Sequence, residues 1–268
     1  YNNLLDTHAA VWALRCWSEQ QSEEQLYGVV VKHGIPCGAG LAPDTQGALT
    51  KALMGDPISA FGGIVALSGE FDLACAEKLK DGFFEIIIAT HFTQCAIEFF
   101  SHKKNLRLIA INNLMRGRLD TKSYRSVFGG LLMQEHDYTA IKPELWQAVT
   151  TRKPKKIELQ AMETAFRMVK ATPSNAISVA YPDQLLGVEA GQPNRIQAAQ
   201  LALTGAKNRG FDLSEAALAS DAFFPFNDGI KLAHEYGIGL IIQPGGSMRD
   251  QEIITTANDL GLCMVFTH

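Results

Sequence analysis

Lys32 and His33 are adjacent residues whose side chains together suit proton transfer and charge stabilisation. They follow the apolar run 27–31 and precede Gly34 and Pro36, which signal a turn. A strand that buries an apolar run ends at such a turn, so we expect the pair where a strand end meets a loop. There a neutral imidazole can accept a proton, and an ammonium can stabilise negative charge on a reacting carbonyl. A solvated lysine beside a hydrogen-bonded histidine is the alternative interpretation.

A second segment, 56–63, places a hydroxyl and two glycines immediately before another apolar run. Its sequence is Asp-Pro-Ile-Ser-Ala-Phe-Gly-Gly. Ser59 can donate a hydrogen bond to a ligand, and Gly62 and Gly63 allow backbone N–H groups to approach it closely. A plain turn before a strand is the alternative.

A third segment, 220–228, carries three phenylalanines around a proline, with carboxylates on both sides. Phe223 and Phe226 can stack on a flat heterocycle, and Asp228 can accept hydrogen bonds from its exocyclic N–H groups. Alternatively, at least one of the phenylalanines belongs to the core, and Asp228 caps the helix that follows.

Two further segments offer groups that bind anions or carbonyl groups. The turn 243–250 contains Ser247 and lies between an apolar strand and an amphipathic helix, which predicts an anion site built from backbone donors and the helix dipole. Arg195, near a helix start, offers a bidentate fork for phosphate or carboxylate, and Asn175 can both donate and accept. Ordinary surface roles are the alternative for both.

Apolar runs alternate with amphipathic segments along the whole chain, as in an α/β protein whose mixed sheets are flanked by helices. A less regular stretch at 112–154 divides the chain, so we predict two similar subdomains, 1–150 and 151–268. A faint echo of segment 32–63 in segment 220–247 suggests a duplicated α/β unit. The predicted strands are 28–31, 63–67, 85–89, 106–111, 175–181, 184–189, 238–242 and 262–266, and the predicted helices are 6–17, 44–54, 72–80, 92–101, 157–171, 194–207, 227–237 and 249–260.

The composition excludes several classes of protein. The net charge of -4 over 268 residues gives no basic field for nucleic acid, and no apolar stretch approaches the roughly 20 residues that cross a bilayer. We therefore expect a cytoplasmic protein with neither a nucleic-acid nor a membrane partner. The five cysteines form no CxxC pair, and the histidines lack metal-ligand spacing, so we predict reduced thiols and no metal site.

Seven collinear blocks resemble the transformylase domain of the bifunctional purine-biosynthesis enzymes that also carry inosine monophosphate (IMP) cyclohydrolase. The resemblance covers almost the whole chain. The blocks are Tyr-Asn-Asn-Leu-Leu-Asp at 1–6, Lys-His-x-x-Pro-Cys-Gly at 32–38, Asp-Pro-x-Ser-Ala-Phe-Gly-Gly at 56–63, Ser-Asn-Ala at 174–176, Gly-Gln-x-x-Arg at 191–195, Ser-Asp-Ala-Phe-Phe-Pro-Phe at 220–226 and Pro-Gly-Gly-Ser at 244–247.

The resemblance implies formyl transfer from 10-formyltetrahydrofolate to the 5-amino group of phosphoribosylaminoimidazolecarboxamide (AICAR), giving formyl-AICAR and tetrahydrofolate in IMP biosynthesis. It implies that His33 accepts the amine proton, that Lys32 stabilises the formyl oxygen or the departing folate nitrogen, and that Asn175 orients the formyl group. Arg195 belongs to the AICAR side. The other residues that it implies in substrate binding are Ser59, Phe61, Gly62, Gly63, Phe223, Pro225, Phe226, Asp228 and Ser247.

The resemblance further implies a cytidine-deaminase-like fold and a homodimer whose sites lie at the subunit interface. It implies no redox cofactor, and a potassium ion is a candidate ligand. Ile35 stands where the family usually has asparagine, which removes any polar contact from that side chain. The alternatives are a non-catalytic nucleotide- or folate-binding homologue and a nucleobase deaminase, although the zinc ligands of the latter are missing.

Overall fold

The computed structural model describes residues 1–18, 24–115 and 122–268. Up to residue 135 the elements are α1 (Asn2–Ser18), β1 (Leu26–Lys32), β2 (Ile35–Ala42), α2 (Thr45–Gly55), α3 (Pro57–Ala60), β3 (Gly63–Leu67), β4 (Glu70–Phe71), α4 (Leu73–Lys78), β5 (Phe84–Ala89), β6 (His91–Phe92), α5 (Gln94–Phe99), β7 (Arg107–Ala110), β8 (Lys122–Val127) and β9 (Gly130–Glu135). Thereafter they are β10 (Gln147–Ala148), α6 (Lys156–Lys170), β11 (Ile177–Tyr181), β12 (Gln184–Glu189), α7 (Arg195–Asn208), β13 (Ala217–Ser220), α8 (Asp228–Glu235), β14 (Leu240–Gln243), α9 (Asp250–Asp259) and β15 (Cys263–Phe266).

Eleven of the described strands form one mixed sheet in the order β10-β15-β14-β13-β11-β12-β2-β1-β3-β5-β7. From β2 toward β7, the pairs β2–β1 and β1–β3 are antiparallel, and the pairs β3–β5 and β5–β7 are parallel. From β12 toward β15, the pairs β12–β11 and β11–β13 are likewise antiparallel, and the pairs β13–β14 and β14–β15 are parallel. The halves join where β12 pairs with β2 in antiparallel fashion. The expected mixed α/β architecture is confirmed, with a single large sheet that continues across the predicted subdomain boundary. The cytidine-deaminase-like fold stays a prediction.

The repeated topology corrects the internal echo that the sequence suggested. The counterpart of the β1–β2 turn is the β11–β12 turn at Pro182 and Asp183, whereas Ser220 ends β13, which corresponds to β3. The predicted correspondence between segment 32–63 and segment 220–247 was therefore wrong. Because the central strands β2 and β12 run antiparallel, the two halves are related by an approximate two-fold axis that reverses strand direction. The β1–β2 turn consequently lies at the same end of the sheet, along the strand direction, as the C-terminal ends of β13, β14 and β15.

Helices cover both faces of this sheet. Along β1, Val29 and Val31 pack into the cluster beneath α1, while Val30 packs on the opposite face beside α2. This alternation follows from the two-residue period of a strand, and each buried valine stabilises the fold by roughly 1.5–3 kcal/mol. The buried guanidinium of Arg167 on α6 donates to the Cys16 carbonyl of α1 at 2.9 Å, which ties the two halves together.

Strand β2 replaces the loop that the sequence predicts after His33. A Cβ on Gly38 would lie 1.9 Å from the Ala52 carbonyl oxygen of α2, and a Cβ on Gly187 of β12 would lie 2.4 Å from that of Ala202 on α7. Glycine at both places allows a helix backbone to approach the strand closely. Glycine, which suggests a loop in the sequence, is thus required here by the packing of a helix on the strand, and this holds at equivalent positions in both halves.

The hairpin of β8 and β9 stands within the stretch that the sequence predicts as irregular, of which residues 116–121 lie outside the described part. Its strands belong to a separate two-stranded sheet. Tyr124, Leu131 and Met133 lie on one face of the hairpin and are 61%, 61% and 56% exposed. Among the helices that the structure describes, none is long and apolar enough to cross a membrane.

Candidate active site

The turn between β1 and β2 presents the Lys32–His33 pair. Its two central residues, His33 and Gly34, have φ values of +53° and +77°. Positive φ at both positions is what a two-residue type I′ hairpin requires, and it is uncommon for a non-glycine residue such as histidine. The Asp6 carboxylate on α1 accepts from the His33 N–H at 3.0 Å and from the Gly34 N–H at 2.7 Å. Asp6 therefore fixes the turn, a contact to which the sequence analysis assigned no role.

Lys32 is held by the segment that follows α3. Its Nζ donates to the Phe61 carbonyl at 2.5 Å, and the next residue, Gly62, donates its N–H to the Phe83 carbonyl at 2.7 Å. The Phe61 and Phe83 rings are also in contact, with centroids 5.4 Å apart. The structure thus brings the blocks 32–38 and 56–63 together around the Lys32 ammonium.

Ser59 and Gly63 are used within the protein itself. The Ser59 hydroxyl donates to Asp56 at 2.8 Å, and the same carboxylate caps the short helix α3. Gly63 begins β3, where a Cβ would lie 2.9 Å from the Val31 carbonyl oxygen. These contacts position the Phe61–Gly62 backbone beside Lys32.

Cys37 lies on β2 just behind the turn. Burial raises the pKa of its thiol to about 12, and the nearby Asp56 carboxylate adds to the effect. A thiol in this state is not a nucleophile at neutral pH. Asp56 is in turn 3.7 Å from the guanidinium of Arg209, which also donates to the Leu186 carbonyl at 2.7 Å. This cluster joins the halves beneath the site.

A second polar cluster surrounds Arg195 at the start of α7. Its guanidinium donates to Asp221 at 2.7 Å, to the Asn175 side-chain carbonyl at 2.9 Å and to the Phe223 backbone carbonyl at 3.2 Å. The Asn175 amide N–H donates to the Gln192 carbonyl at 2.9 Å. Arg195 and Asp221 are only 12% and 15% exposed, so the ion pair is largely shielded from water. Arg195 therefore sets the orientation of the Asn175 side chain and of the loop after β13.

The aromatic segment after β13 divides between core and surface. Phe224 is 2% exposed and belongs to the core, whereas Phe223 and Phe226 are 41% and 50% exposed. The Arg249 guanidinium lies 4.7 Å from the Phe226 ring centroid, which leaves the other face of the ring for a flat ligand. Pro225 lies in the exposed loop between them.

Asp228 and Ser247 lie at the starts of the last two helices. Asn227 occupies the N-cap of α8, and Asp228 is the first helical residue, with an exposed side chain that accepts from the Gly229 N–H at 2.7 Å. The alternative that Asp228 is the N-cap residue is therefore wrong, and the side chain of the N-cap residue Asn227 makes no capping hydrogen bond. Ser247 accepts from the Arg249 N–H at 3.1 Å.

The glycine-rich turn before α9 differs from the expected anion site. The Asp250 carboxylate accepts from the Gly246 N–H at 2.7 Å, and Glu252 follows in the same helical turn. These two negative charges lie at the positive end of the helix and disfavour an external anion there. The anion site at this turn stays a prediction.

The two clusters lie at the same end of the sheet, on strands that are not neighbours. Strands β1 and β11, which carry or adjoin Lys32 and Asn175, are separated by β2 and β12. Three steps of about 4.8 Å place them roughly 14 Å apart. Among the described residues, no three His, Cys, Asp or Glu side chains are grouped to hold a metal ion.

The chain belongs to the AICARFT/IMPCHase bienzyme family, whose model matches residues 1–205. It is 42% identical over 272 residues to the "Bifunctional purine biosynthesis protein PurH" of Prochlorococcus marinus (strain NATL1A), covering 99% of this chain and 52% of that protein. The protein of the same name from Bacillus cereus (strain ATCC 14579) is 43% identical over 267 residues, covering 100% and 50%. The chain thus spans about half the length of the curated relatives it matches. Acinetobacter baumannii RibD aligns over 100% of this chain and 74% of its own, at 12% identity and a TM-score of 0.29, too low to carry an argument about the fold.

Proposed function

We propose that this chain transfers a formyl group from 10-formyltetrahydrofolate to the 5-amino group of AICAR in purine biosynthesis. The observation that carries the proposal is the Lys32–His33 turn, which presents a base and a cation side by side on a sheet edge and is held from both sides. Family membership supports a role in purine biosynthesis, because the relatives are named for it.

The reaction needs assistance at two atoms. The AICAR amine is conjugated with the imidazole and carboxamide, so it is a poor nucleophile. We propose that its nitrogen attacks the formyl carbon while His33 removes the amine proton, and that Lys32 stabilises the tetrahedral oxyanion. Collapse of the intermediate breaks the bond to N10 of the folate, which takes up a proton as tetrahydrofolate leaves. One Nζ hydrogen of Lys32 is engaged by Phe61, which leaves two for this task.

The second cluster supports assignments on the folate and nucleotide sides. We propose that Asn175 orients the formyl group, because both ends of its amide are already fixed by Gln192 and Arg195. The exposed rings of Phe223 and Phe226 suit stacking on the pterin, with Pro225, Asp228 and Ser247 beside them. Arg195 retains one unused N–H for the AICAR side, since four are directed to protein acceptors.

We propose that the two clusters meet across a homodimer. The spacing of roughly 14 Å between β1 and β11 supports this arrangement, because a formyl group is much smaller than the spacing of the strands that carry the two clusters. The hairpin of β8 and β9 also supports it, since an isolated two-stranded hairpin with an apolar face is marginal in water.

Mixing two inactive variants tests this arrangement. His33→Ala and Asn175→Ala protomers, exchanged at random, give heterodimers in which one of the two sites is intact, so we expect about one quarter of wild-type turnover to return. No recovery would place both clusters of a site on one chain and overturn the shared site.

Product analysis tests the proposed reaction. The chain is incubated with AICAR and 10-formyltetrahydrofolate, and the products are identified by mass spectrometry. Equal amounts of formyl-AICAR and tetrahydrofolate support the proposal, and IMP would add a cyclohydrolase step on the same chain. Binding of AICAR by calorimetry without transfer would favour a non-catalytic homologue. Stoichiometric zinc with a deaminated product would favour a deaminase. A stimulation by potassium that sodium does not reproduce would support a bound potassium ion.

A further inference from the structure

We propose that Asp6 is a positioning residue for the proposed formyl transfer, acting by holding the backbone of His33 in the conformation that directs its imidazole into the site. This inference rests on the proposed function, because His33 is assigned there as the base. Asp6 itself does not contact the reacting atoms.

The contact geometry supports a dedicated role for this carboxylate. Its two oxygens accept separately from the N–H groups of His33 and Gly34, at 3.0 and 2.7 Å. Hydrogen bonds to a charged acceptor are stronger than those to a neutral one. They offset the cost of the left-handed conformation of His33, whose φ is +53°.

Helix α1 holds Asp6 firmly in place. The helix buries Ala10, Leu14 and Trp17 against the sheet, and near its start Asn3 donates to Glu85 on β5 at 3.0 Å. The Asp6 carboxylate is therefore carried by a packed helix, next to the end of β1 where the turn begins. Movement of the turn relative to the sheet is restrained through α1.

The second half of the chain supplies an internal comparison. The topologically equivalent turn, at Pro182 and Asp183, joins β11 to β12 without a positive φ at either residue. It is held by Thr164, whose hydroxyl donates to the Pro182 carbonyl at 2.7 Å, and by an ion pair between Asp183 and Lys51. The duplicated fold thus forms this hairpin without a left-handed residue. The strained turn clamped by Asp6 is not demanded by the topology, which points to its function.

Asp6→Asn tests the inference with minimal change in shape. The amide keeps one acceptor oxygen and turns the other into a donor, so one N–H of the turn loses its partner. We expect kcat to fall about 10- to 100-fold, as for a displaced catalytic group, while the KM values change less than about twofold. Asp259→Asn, on an exposed aspartate in the last turn of α9, is the matched control and leaves both parameters unchanged.

A double variant separates positioning from general loss of structure. If Asp6 acts through His33, Asp6→Asn has no further effect on the residual kcat of His33→Ala. An undiminished effect in that background, or a kcat of Asp6→Asn within twofold of wild type, would overturn the inference. Chemical shifts of the His33 and Gly34 amides test the contact independently: we expect Asp6→Asn to move both, and unchanged shifts would contradict it. Inactivity of the wild-type chain would instead refute the proposed function.

Discussion

Replacing Arg195 probes how strongly the second cluster is organised. The guanidinium binds Asp221, Ser220, Asn175 and the Phe223 carbonyl, and the Arg195–Asp221 pair is 12% and 15% exposed. Loss of one partner from a buried pair costs about 3–5 kcal/mol, whereas an exposed pair contributes about 0–1 kcal/mol. For this nearly buried pair we expect Arg195→Met to lower the free energy of unfolding by about 2–4 kcal/mol.

Arg195→Lys separates the charge from the geometry of the guanidinium. Lysine can keep the ion pair with Asp221 but cannot reach the three other acceptors at once, so we expect a smaller loss of about 1–2 kcal/mol. Formyl transfer should nevertheless fall sharply in both variants, because Asn175 loses the donor that orients it.

Urea denaturation followed by circular dichroism measures these losses. The matched control is Lys207→Met on the same helix, where an exposed ammonium lies 5.2 Å from the Tyr236 ring centroid, and we expect a loss below about 1 kcal/mol. If the free energies of unfolding of both Arg195 variants lay within about 0.5 kcal/mol of the wild-type value, the hydrogen bonds of Arg195 would not stabilise the fold as their geometry requires.

Packing and exposure lead to four further predictions. Iodoacetamide at pH 8 should modify the exposed Cys95 much faster than the partly buried Cys37, whose pKa is raised to about 12; comparable rates would contradict the raised pKa of Cys37. In the unfolded chain the Cys37 thiol ionises near its ordinary pKa of about 8.5, so its contribution should lower the free energy of unfolding as the pH rises from about 9 to about 12. An increase in the contribution of Cys37 to the free energy of unfolding over that pH range would contradict the raised pKa. Gly38→Ala should destabilise the chain by about 2 kcal/mol or more in urea denaturation, since its Cβ would meet the Ala52 carbonyl at 1.9 Å, and a neutral effect would contradict this packing. Leu131→Ser, on the exposed hairpin, should weaken self-association in sedimentation without loss of helix signal, whereas unchanged association would exclude this face from the dimer.

Local sequence patterns predicted most of the elements because their causes are local. Apolar runs such as 85–89 form buried strands, and the amphipathic segment 157–171 corresponds closely to α6. Strand β2 was missed because Gly38 and Gly40 resemble loop residues until the helix packed against them is known. The hairpin of β8 and β9 was missed because its pattern is interrupted by polar residues on both strands.

The candidate site was predicted residue by residue but not as an arrangement. The Lys32–His33 pair could be found from its place after an apolar run. The clamp by Asp6 spans 27 residues, and the ion pair of Arg195 with Asp221 spans 26, so neither contact follows from local spacing. The division of the site into two clusters depends on the sheet order and strand directions. These bring the C-terminal end of β1 and the N-terminal end of β11 to the same end of the sheet.

AICAR-dependent release of tetrahydrofolate from 10-formyltetrahydrofolate tests whether the Lys32–His33 pair catalyses formyl transfer. Wild type, Lys32→Ala and His33→Ala are compared at saturating substrates, with Lys207→Met as the control. We predict turnover by wild type and the control, and a loss of about 10²–10⁴-fold in each of the other variants, as expected for removal of a general base or of an oxyanion donor. No turnover by wild type would contradict the proposed reaction, and near-full turnover by His33→Ala would contradict the role of His33 as the base.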